Sequence, residues 1–129
     1  MINVMLVDDH NLFRESLKQL IESEGDIKVI CEASDGEECI DRLRTYPVDI
    51  IILDINMPQK NGIETMEFIK KKRIPVKVII LTTHYELDYM VHAVDLGVNG
   101  YLIKDCSSSE LRDGILSVYD NKNYIQRNK

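Results

Sequence analysis

Five polar residues stand directly after apolar runs, and together their types could carry out phosphoryl chemistry. Asp8 and Asp9 follow INVMLV, Asp54 follows VDIIIL, Thr82 follows VKVIIL, and Lys104 follows GYLI. A carboxylate such as Asp54 can attack a phosphoryl group and form an acyl phosphate. A metal ion, an ammonium group and a hydroxyl group can then neutralise or hydrogen-bond the phosphoryl oxygens.

The three carboxylates also indicate a metal site. Carboxylates that share one crevice repel each other, and a divalent cation relieves that repulsion. Oxygen ligands without a cluster of Cys or His favour Mg²⁺ or a similar ion such as Mn²⁺. Because Mg²⁺ takes one or two carboxylates and keeps several waters, it leaves Asp54 able to act as the nucleophile.

Alternating strand and helix patterns position these residues. The runs at 2–7, 48–53 and 76–81 are apolar and β-branched, as in strands buried on both faces, and weaker strand signals lie at 27–33 and 100–103. Amphipathic helical patterns separate them, and their apolar positions are Phe13, Leu17, Leu20, Ile21; Cys39, Ile40, Leu43; Ile63, Met66, Ile69; Leu87, Met90, Val91, Val94; and Leu111, Ile115, Val118. Ser107 to Ser109 offer an N-cap to the last helix.

Five strand–helix repeats predict a parallel α/β sheet with right-handed crossovers. In such a sheet all strands end at one edge, where ligands bind, so the five polar residues should converge. Taken singly, each has a plain structural interpretation: Asp8-Asp9 as a helix cap, Asp54 as an Asx turn, Thr82 as a turn residue and Lys104 as a solvated side chain. Their joint occurrence at strand ends favours a site.

Composition bounds the class of protein. The 129 residues suit one domain, with 44% hydrophobic and 29% charged residues. The net charge of −6 argues against direct nucleic-acid binding. The apolar runs are too short to span a membrane and the start lacks a secretory signal, which predicts a cytoplasmic protein. Cys31, Cys39 and Cys106 lack CxxC spacing and are expected to be reduced thiols.

Four stretches resemble the receiver domain of two-component response regulators: LVDDH (6–10), IIILDINMPQKNG (50–62), ILTTH (80–84) and GYLIKD (100–105). The resemblance covers residues 1 to about 120, and the joint order and spacing of the motifs are highly specific. It implies a flavodoxin-like (βα)5 three-layer sandwich with a five-stranded parallel sheet in the order 2-1-3-4-5. The GYLIKD ending resembles the LuxR/NarL-type subfamily, whose output is a helix-turn-helix DNA-binding domain.

The resemblance implies a phosphoacceptor and a metal site. Asp54 matches the phosphoacceptor. Asp9 and Asp54 match the direct Mg²⁺ carboxylates, and Asp8 matches the acid that acts largely through water. The backbone carbonyl of Asn56 matches the third protein ligand. Asn56 and His84 occupy the two positions that tune dephosphorylation in this family.

The resemblance also implies a switch. Thr82 matches the hydroxyl that turns towards the phosphoryl group, Tyr101 the aromatic residue that moves inward with it, and Lys104 the lysine that pairs with the phosphorylated aspartate. Many receivers have Pro after this lysine, often with a cis bond. Asp105 stands there in this sequence, and a trans bond is expected because a non-proline cis bond costs about 2.5–4 kcal/mol.

The expected function is therefore that of a phosphorelay switch rather than an enzyme acting on a separate substrate. A sensor histidine kinase would phosphorylate Asp54 in a Mg²⁺-dependent reaction, and the chain would then change its conformation and dimerise. Two dimer surfaces are open: the first and last helices, or the surface around residues 86–118. Residues 1–121 are expected to form the receiver and residues 122–129 a tail or the start of a linker. A DNA-binding output domain beyond that linker, and hence a truncated chain, is favoured over a stand-alone receiver.

Three rival functions remain beside this expectation. A flavodoxin-like cofactor binder needs a phosphate-cradling loop after the first strand, whereas DDHNLF is acidic and would repel the FMN phosphate. A hydrolase working through an aspartyl phosphate would need a substrate pocket or cap, and the sequence has no insertion long enough for one. A receiver that signals by contacts alone would not need all of Asp8, Asp9, Asp54, Thr82 and Lys104.

Overall fold

The computed structural model describes residues 1–54, 62–83 and 87–125. Strands and helices alternate along these residues, as the apolar runs and amphipathic patterns predict. The elements are β1 (Ile2–Val7), α1 (Asn11–Glu22), β2 (Ile27–Ala33), α2 (Gly36–Thr45), β3 (Ile50–Leu53), α3 (Gly62–Lys71), β4 (Lys77–Thr82), α4 (Leu87–Asp95), β5 (Gly100–Ile103), α5 (Ser108–Tyr119) and β6 (Tyr124–Ile125).

The strands form one sheet in the order β2-β1-β3-β4-β5-β6, and all neighbouring pairs are parallel. The order 2-1-3-4-5 and the flavodoxin-like fold are thus confirmed. The sheet has six strands instead of the expected five, because Tyr124 and Ile125 pair with Gly100 and Tyr101. A two-residue strand is too short to show the alternation by which strands are predicted from sequence.

Two apolar clusters cover the two faces of the sheet. Side chains alternate across a strand, so Ile50 and Ile52 of β3 enter one cluster while Ile51 and Leu53 enter the other. Helices α1 and α5 complete the first cluster, with Leu17, Ile21, Leu111, Ile115 and Val118. Helices α2, α3 and α4 complete the second, with Cys39, Ile63, Met66, Ile69 and Ala93. This is the expected three-layer sandwich.

Of the predicted apolar face of α4, only Met90 packs against the core. Leu87, Val91 and Val94 are 59%, 49% and 46% exposed, while Ala93 is fully buried and Met90 is half-buried. The helix therefore contacts the sheet through Met90 and Ala93, and the predicted stripe is rotated towards solvent. On α1, Leu20 is 54% exposed although it shares the predicted apolar face with the buried Leu17.

Local details agree with the sequence. The Ser107 side chain accepts a hydrogen bond from the Glu110 backbone N–H and caps α5. The peptide bond between Lys104 and Asp105 is trans. Cys31, Cys39 and Cys106 are free thiols. None of the helices in the described part of the chain combines the length and the apolar character that crossing a bilayer requires.

Candidate functional site

Strand register brings the polar residues to one edge of the sheet. Val7 pairs with Leu53, so the residues that follow, Asp8 and Asp54, leave adjacent strands side by side. The Asp54 backbone N–H donates to the Val7 carbonyl at 2.9 Å, and the Asp8 N–H donates to Ala33 at 3.0 Å. Both aspartates are therefore held by sheet hydrogen bonds, and both are 5% exposed.

Lys104 reaches both carboxylates from β5. Its Nζ lies 2.7 Å from Asp8 Oδ2 and 3.3 Å from Asp54 Oδ2. Burial by itself lowers the pKa of Lys104, but the hydrogen bond to Asp8 and the charge of Asp54 outweigh it and leave that pKa raised. The ammonium is thus charged and partly neutralises two buried acids.

The Lys104 ammonium also contacts an aromatic ring. The Phe13 ring of α1 has its centroid 4.6 Å from Lys104 Nζ, within the range of a cation–π contact. Sequence reasoning placed Phe13 on the apolar face of α1 but gave it no part in the site. The spacing of apolar residues identifies the face of a helix, and it does not identify which distant side chain meets the ring.

Arg14 is the second residue that sequence reasoning missed. Its guanidinium donates to the Asp8 backbone carbonyl, to Asn11 Oδ1 at 2.6 Å and to Glu32 Oε1 at 3.2 Å. These bonds tie the turn after β1 to both α1 and β2. One sequence feature could have indicated this contact. Arg14 lies about one helical turn after the acidic motif, and helical side chains tilt towards the start of their helix, so its side chain points back to that motif.

The acidic residues can hold a cation. Asp8, Asp9, His10 and Asp54 each offer a ligand atom, and these atoms all lie within 4.8 Å of one another. The Asp9 side chain is 31% exposed, which leaves an approach from solvent. Carboxylate oxygens at this separation fit Mg²⁺ or a similar ion, as the sequence led us to expect. His10 stands at the N-cap of α1.

Thr82 and Tyr101 lie beside this edge. Thr82 is 1% exposed at the end of β4, and its carbonyl accepts a hydrogen bond from the Lys104 N–H at 2.6 Å. Tyr101 is fully buried in the cluster on the α2–α4 side of the sheet. Its role as a switch residue stays a prediction.

Two expected site residues, Asn56 and His84, lie outside the residues that the structure describes. The backbone-carbonyl ligand and the two positions for tuning dephosphorylation therefore remain predictions. The described residues bring together Asp8, Asp9, Asp54 and Lys104, with Thr82 adjoining Lys104 through the backbone.

Known proteins with similar sequences and folds share this arrangement of elements. The family described as the response regulator receiver domain matches residues 4–116. The response regulator UvrY of Escherichia coli K12 is 39% identical over 125 residues, which cover 97% of this chain and 57% of UvrY. The nitrate/nitrite response regulator NarL of the same strain is 36% identical over 108 residues, covering 84% of this chain and 50% of NarL.

The fold is also similar to that of a solved structure. The LuxR-family two-component response regulator from Aurantimonas sp. SI85-9A1 superimposes with a TM-score of 0.89 at 30% identity, over 95% of this chain and 87% of that one. The chain spans about half the length of the curated relatives UvrY and NarL. Its match to the receiver-domain family lies in residues 4–116.

Proposed function

The chain belongs to the response regulator receiver domain family, in its LuxR/NarL-type branch, and on that premise we propose that Asp54 is its phosphoacceptor. The observation that carries this proposal is the position of Asp54: buried at the carboxyl end of β3, beside Asp8 and within 3.3 Å of the Lys104 ammonium. A nucleophilic carboxylate with a fixed cation beside it can receive a phosphoryl group.

In the proposed reaction an Asp54 carboxylate oxygen attacks the phosphorus of a phosphohistidine on a sensor histidine kinase. The new O–P bond forms as the P–N bond breaks, and the departing imidazole takes up a proton. Lys104 neutralises charge on the phosphoryl oxygens. Asp9 and Asp54 would hold a divalent cation directly and Asp8 would act on it through water, and the ion would supply further charge neutralisation when bound. The chain would thus act as a signalling switch and not on a separate substrate.

We further propose that Thr82 and Tyr101 transmit the signal. The Thr82 hydroxyl lies at the end of β4, where the chain turns towards α4, so its rotation towards a phosphoryl oxygen acts on that connection. Added charge at Asp54 would bias a two-state equilibrium of this connection, of α4 and of Tyr101. Asn56 and His84 are proposed to set how fast the phosphoryl group is lost.

The proposed readout is dimer formation. Exposed apolar side chains lie on both candidate surfaces: Leu12, Leu20, Leu116 and Tyr119 on α1 and α5, and Leu87, Tyr89, Val91 and Val94 on α4. We favour α4, because the chain that leaves Thr82 leads directly into it. Residues 1–121 would be the receiver and 122–129 the tail or linker start, of which Tyr124 and Ile125 pair with the sheet as β6. DNA would be contacted only through a helix-turn-helix domain in a cytoplasmic regulator of transcription.

Intact mass tests the phosphoacceptor. The protein is incubated with acetyl phosphate, with and without Mg²⁺, beside an Asp54→Asn variant. One Mg²⁺-dependent phosphoryl adduct that the variant lacks is the expected result. Persistent labelling of Asp54→Asn at the same site would refute the assignment. If a sensor histidine kinase also fails to label the wild type, a receiver that works by contacts alone would be favoured.

A further inference from the structure

His10 places an imidazole at the acidic edge, and the proposed phosphoryl chemistry does not use it. Its Nδ1 lies 3.1 Å from Asp8 Oδ1 and 3.1 Å from Asp9 Oδ1. These atoms belong to the group of four ligand atoms, completed by Asp54, that lie within 4.8 Å of one another. The ring is thus close enough to share a cation with the carboxylates.

The backbone sets this position of the ring. The His10 N–H donates to Asp8 Oδ1 at 2.9 Å, and the residue has an extended conformation with φ −95° and ψ 99°. The His10 carbonyl accepts from the Arg14 N–H at 3.0 Å, which begins the hydrogen bonds of α1. The side chain forms no capping hydrogen bond to its own helix. It turns back towards the carboxylates instead.

The separations match those of neighbouring ligands around one metal ion. Bonds of about 2.1 Å place adjacent donor atoms of an octahedral ion about 3.0 Å apart and opposite ones about 4.2 Å apart. The distance from His10 Nδ1 to Asp9 Oδ1 is close to the adjacent value, while the 3.1 Å contact with Asp8 Oδ1 is a hydrogen bond. All four ligand atoms lie within 4.8 Å of one another, close to the separation of opposite ligands.

We propose that His10 serves as a nitrogen ligand in the divalent-cation site, so that Co²⁺, Ni²⁺ or Zn²⁺ competes with Mg²⁺ there. Mg²⁺ is a hard ion that prefers oxygen, whereas imidazole suits the later transition metals. A neutral imidazole with its proton on Nε2 offers the Nδ1 lone pair to the ion. The inference rests on the proposed function only in that it uses the same cation site.

The first test compares metal affinities by calorimetry. Co²⁺ and Mg²⁺ are titrated separately into the wild type, His10→Gln and His92→Gln. His92 lies on the exposed surface of α4 and controls for any surface histidine that binds a transition metal. We expect His10→Gln to weaken Co²⁺ binding by about tenfold or more and to change Mg²⁺ binding much less. His92→Gln should match the wild type for both ions.

A second readout identifies the ligand atom. Zn²⁺ is diamagnetic, so its addition should shift the ¹⁵N resonance of His10 Nδ1 and leave that of His92 in place. If Mg²⁺ binds the wild type and His10→Gln keeps full Co²⁺ affinity, the His10 inference is wrong while the proposed function stands. If neither ion binds the wild type in a manner that Asp54→Asn abolishes, the cation site itself is wrong and both proposals fail.

Discussion

The ammonium of Lys104 lies closer to Asp8 than to Asp54, at 2.7 Å against 3.3 Å. Both acids and the lysine are buried, with side-chain exposures of 7%, 5% and 11%. The lysine therefore links two carboxylates that would otherwise repel each other at the edge of the sheet. The proposed phosphoryl group on Asp54 would give the same ammonium a more highly charged partner on that side.

Substitutions of Lys104 and of Asp54 should change the free energy of unfolding in opposite directions. Lys104→Met leaves Asp8 and Asp54 buried without their shared cation, and we expect it to lower the free energy of unfolding by about 2 kcal/mol. Asp54→Asn removes one repelling charge and keeps the pair of Lys104 with Asp8, so we expect a gain of about 1 kcal/mol. Urea unfolding at neutral pH with a metal chelator present measures both.

Mg²⁺ provides the control for that experiment. Added ion should stabilise the wild type, because it binds the folded acidic edge, and should stabilise Asp54→Asn less. If Lys104→Met and Asp54→Asn moved stability in the same direction, the repulsion between Asp8 and Asp54 would not govern this edge.

Thr82 and its neighbour Thr83 form a matched pair for testing the switch. Thr82 is buried at the end of β4 and Thr83 is exposed. We expect Thr82→Ala to accept phosphate from acetyl phosphate and to lose the phosphorylation-dependent dimer, because the hydroxyl that responds to the phosphoryl oxygen is gone. Thr83→Ala should behave as the wild type. Intact mass measures labelling and analytical ultracentrifugation measures association; loss of dimer in both variants would remove Thr82 from the switch.

Strands were the most predictable part of the fold. β1 has the bounds of its apolar run, and β2 and β5 have those of the two weaker signals, whereas β3 and β4 differ by one or two residues from the runs at 48–53 and 76–81. Once the strands are placed, the parallel order brings Asp8, Asp54 and Lys104 to one edge. The meeting of these residues could therefore be predicted from their positions at strand ends.

Helix orientation and side-chain contacts could not be predicted in the same way. The pattern of α4 gives an apolar stripe through Val91, but which stripe meets the sheet depends on small residues such as Ala93 that permit close packing. The contact of Phe13 with Lys104 joins α1 to β5, and no local pattern encodes it. β6 depends on its pairing with β5 and on a hydrogen bond from the Tyr124 N–H to the carbonyl of Asn99, just before β5, at 2.9 Å.

The thiols should be unreactive in the folded protein. Burial raises the pKa of Cys39 to about 12 and that of Cys106 to about 11, and burial also raises the pKa of Cys31. Because the thiolate is the reactive form, labelling by a disulfide reagent at about pH 8 should be slow until the chain unfolds in guanidinium. Native Cys39 reacting as fast as a free thiol would contradict its burial.

The same shifts predict a loss of stability at alkaline pH. Folding raises the thiol pKa values, so the folded state favours the protonated thiols. Their contribution is complete below the unfolded value of about 8.5 and is lost as pH rises towards about 11 and about 12 for Cys106 and Cys39. Urea unfolding across this range should show a smaller alkaline decrease for Cys39→Ala than for the wild type. Equal decreases would mean that Cys39 does not contribute.

Substitution of exposed apolar residues on α4 and α1 can distinguish the two candidate dimer surfaces. Val91 of α4 is 49% exposed and Leu20 of α1 is 54% exposed, so a charge at either position costs little in the monomer. A buried carboxylate without a partner is costly in an interface. We expect Val91→Glu to abolish the dimer of the phosphorylated protein and Leu20→Glu to preserve it, as measured by analytical ultracentrifugation after labelling with acetyl phosphate. The reverse result would place the interface on α1 and α5, and Thr82 would then have to act on it through the sheet instead of through α4.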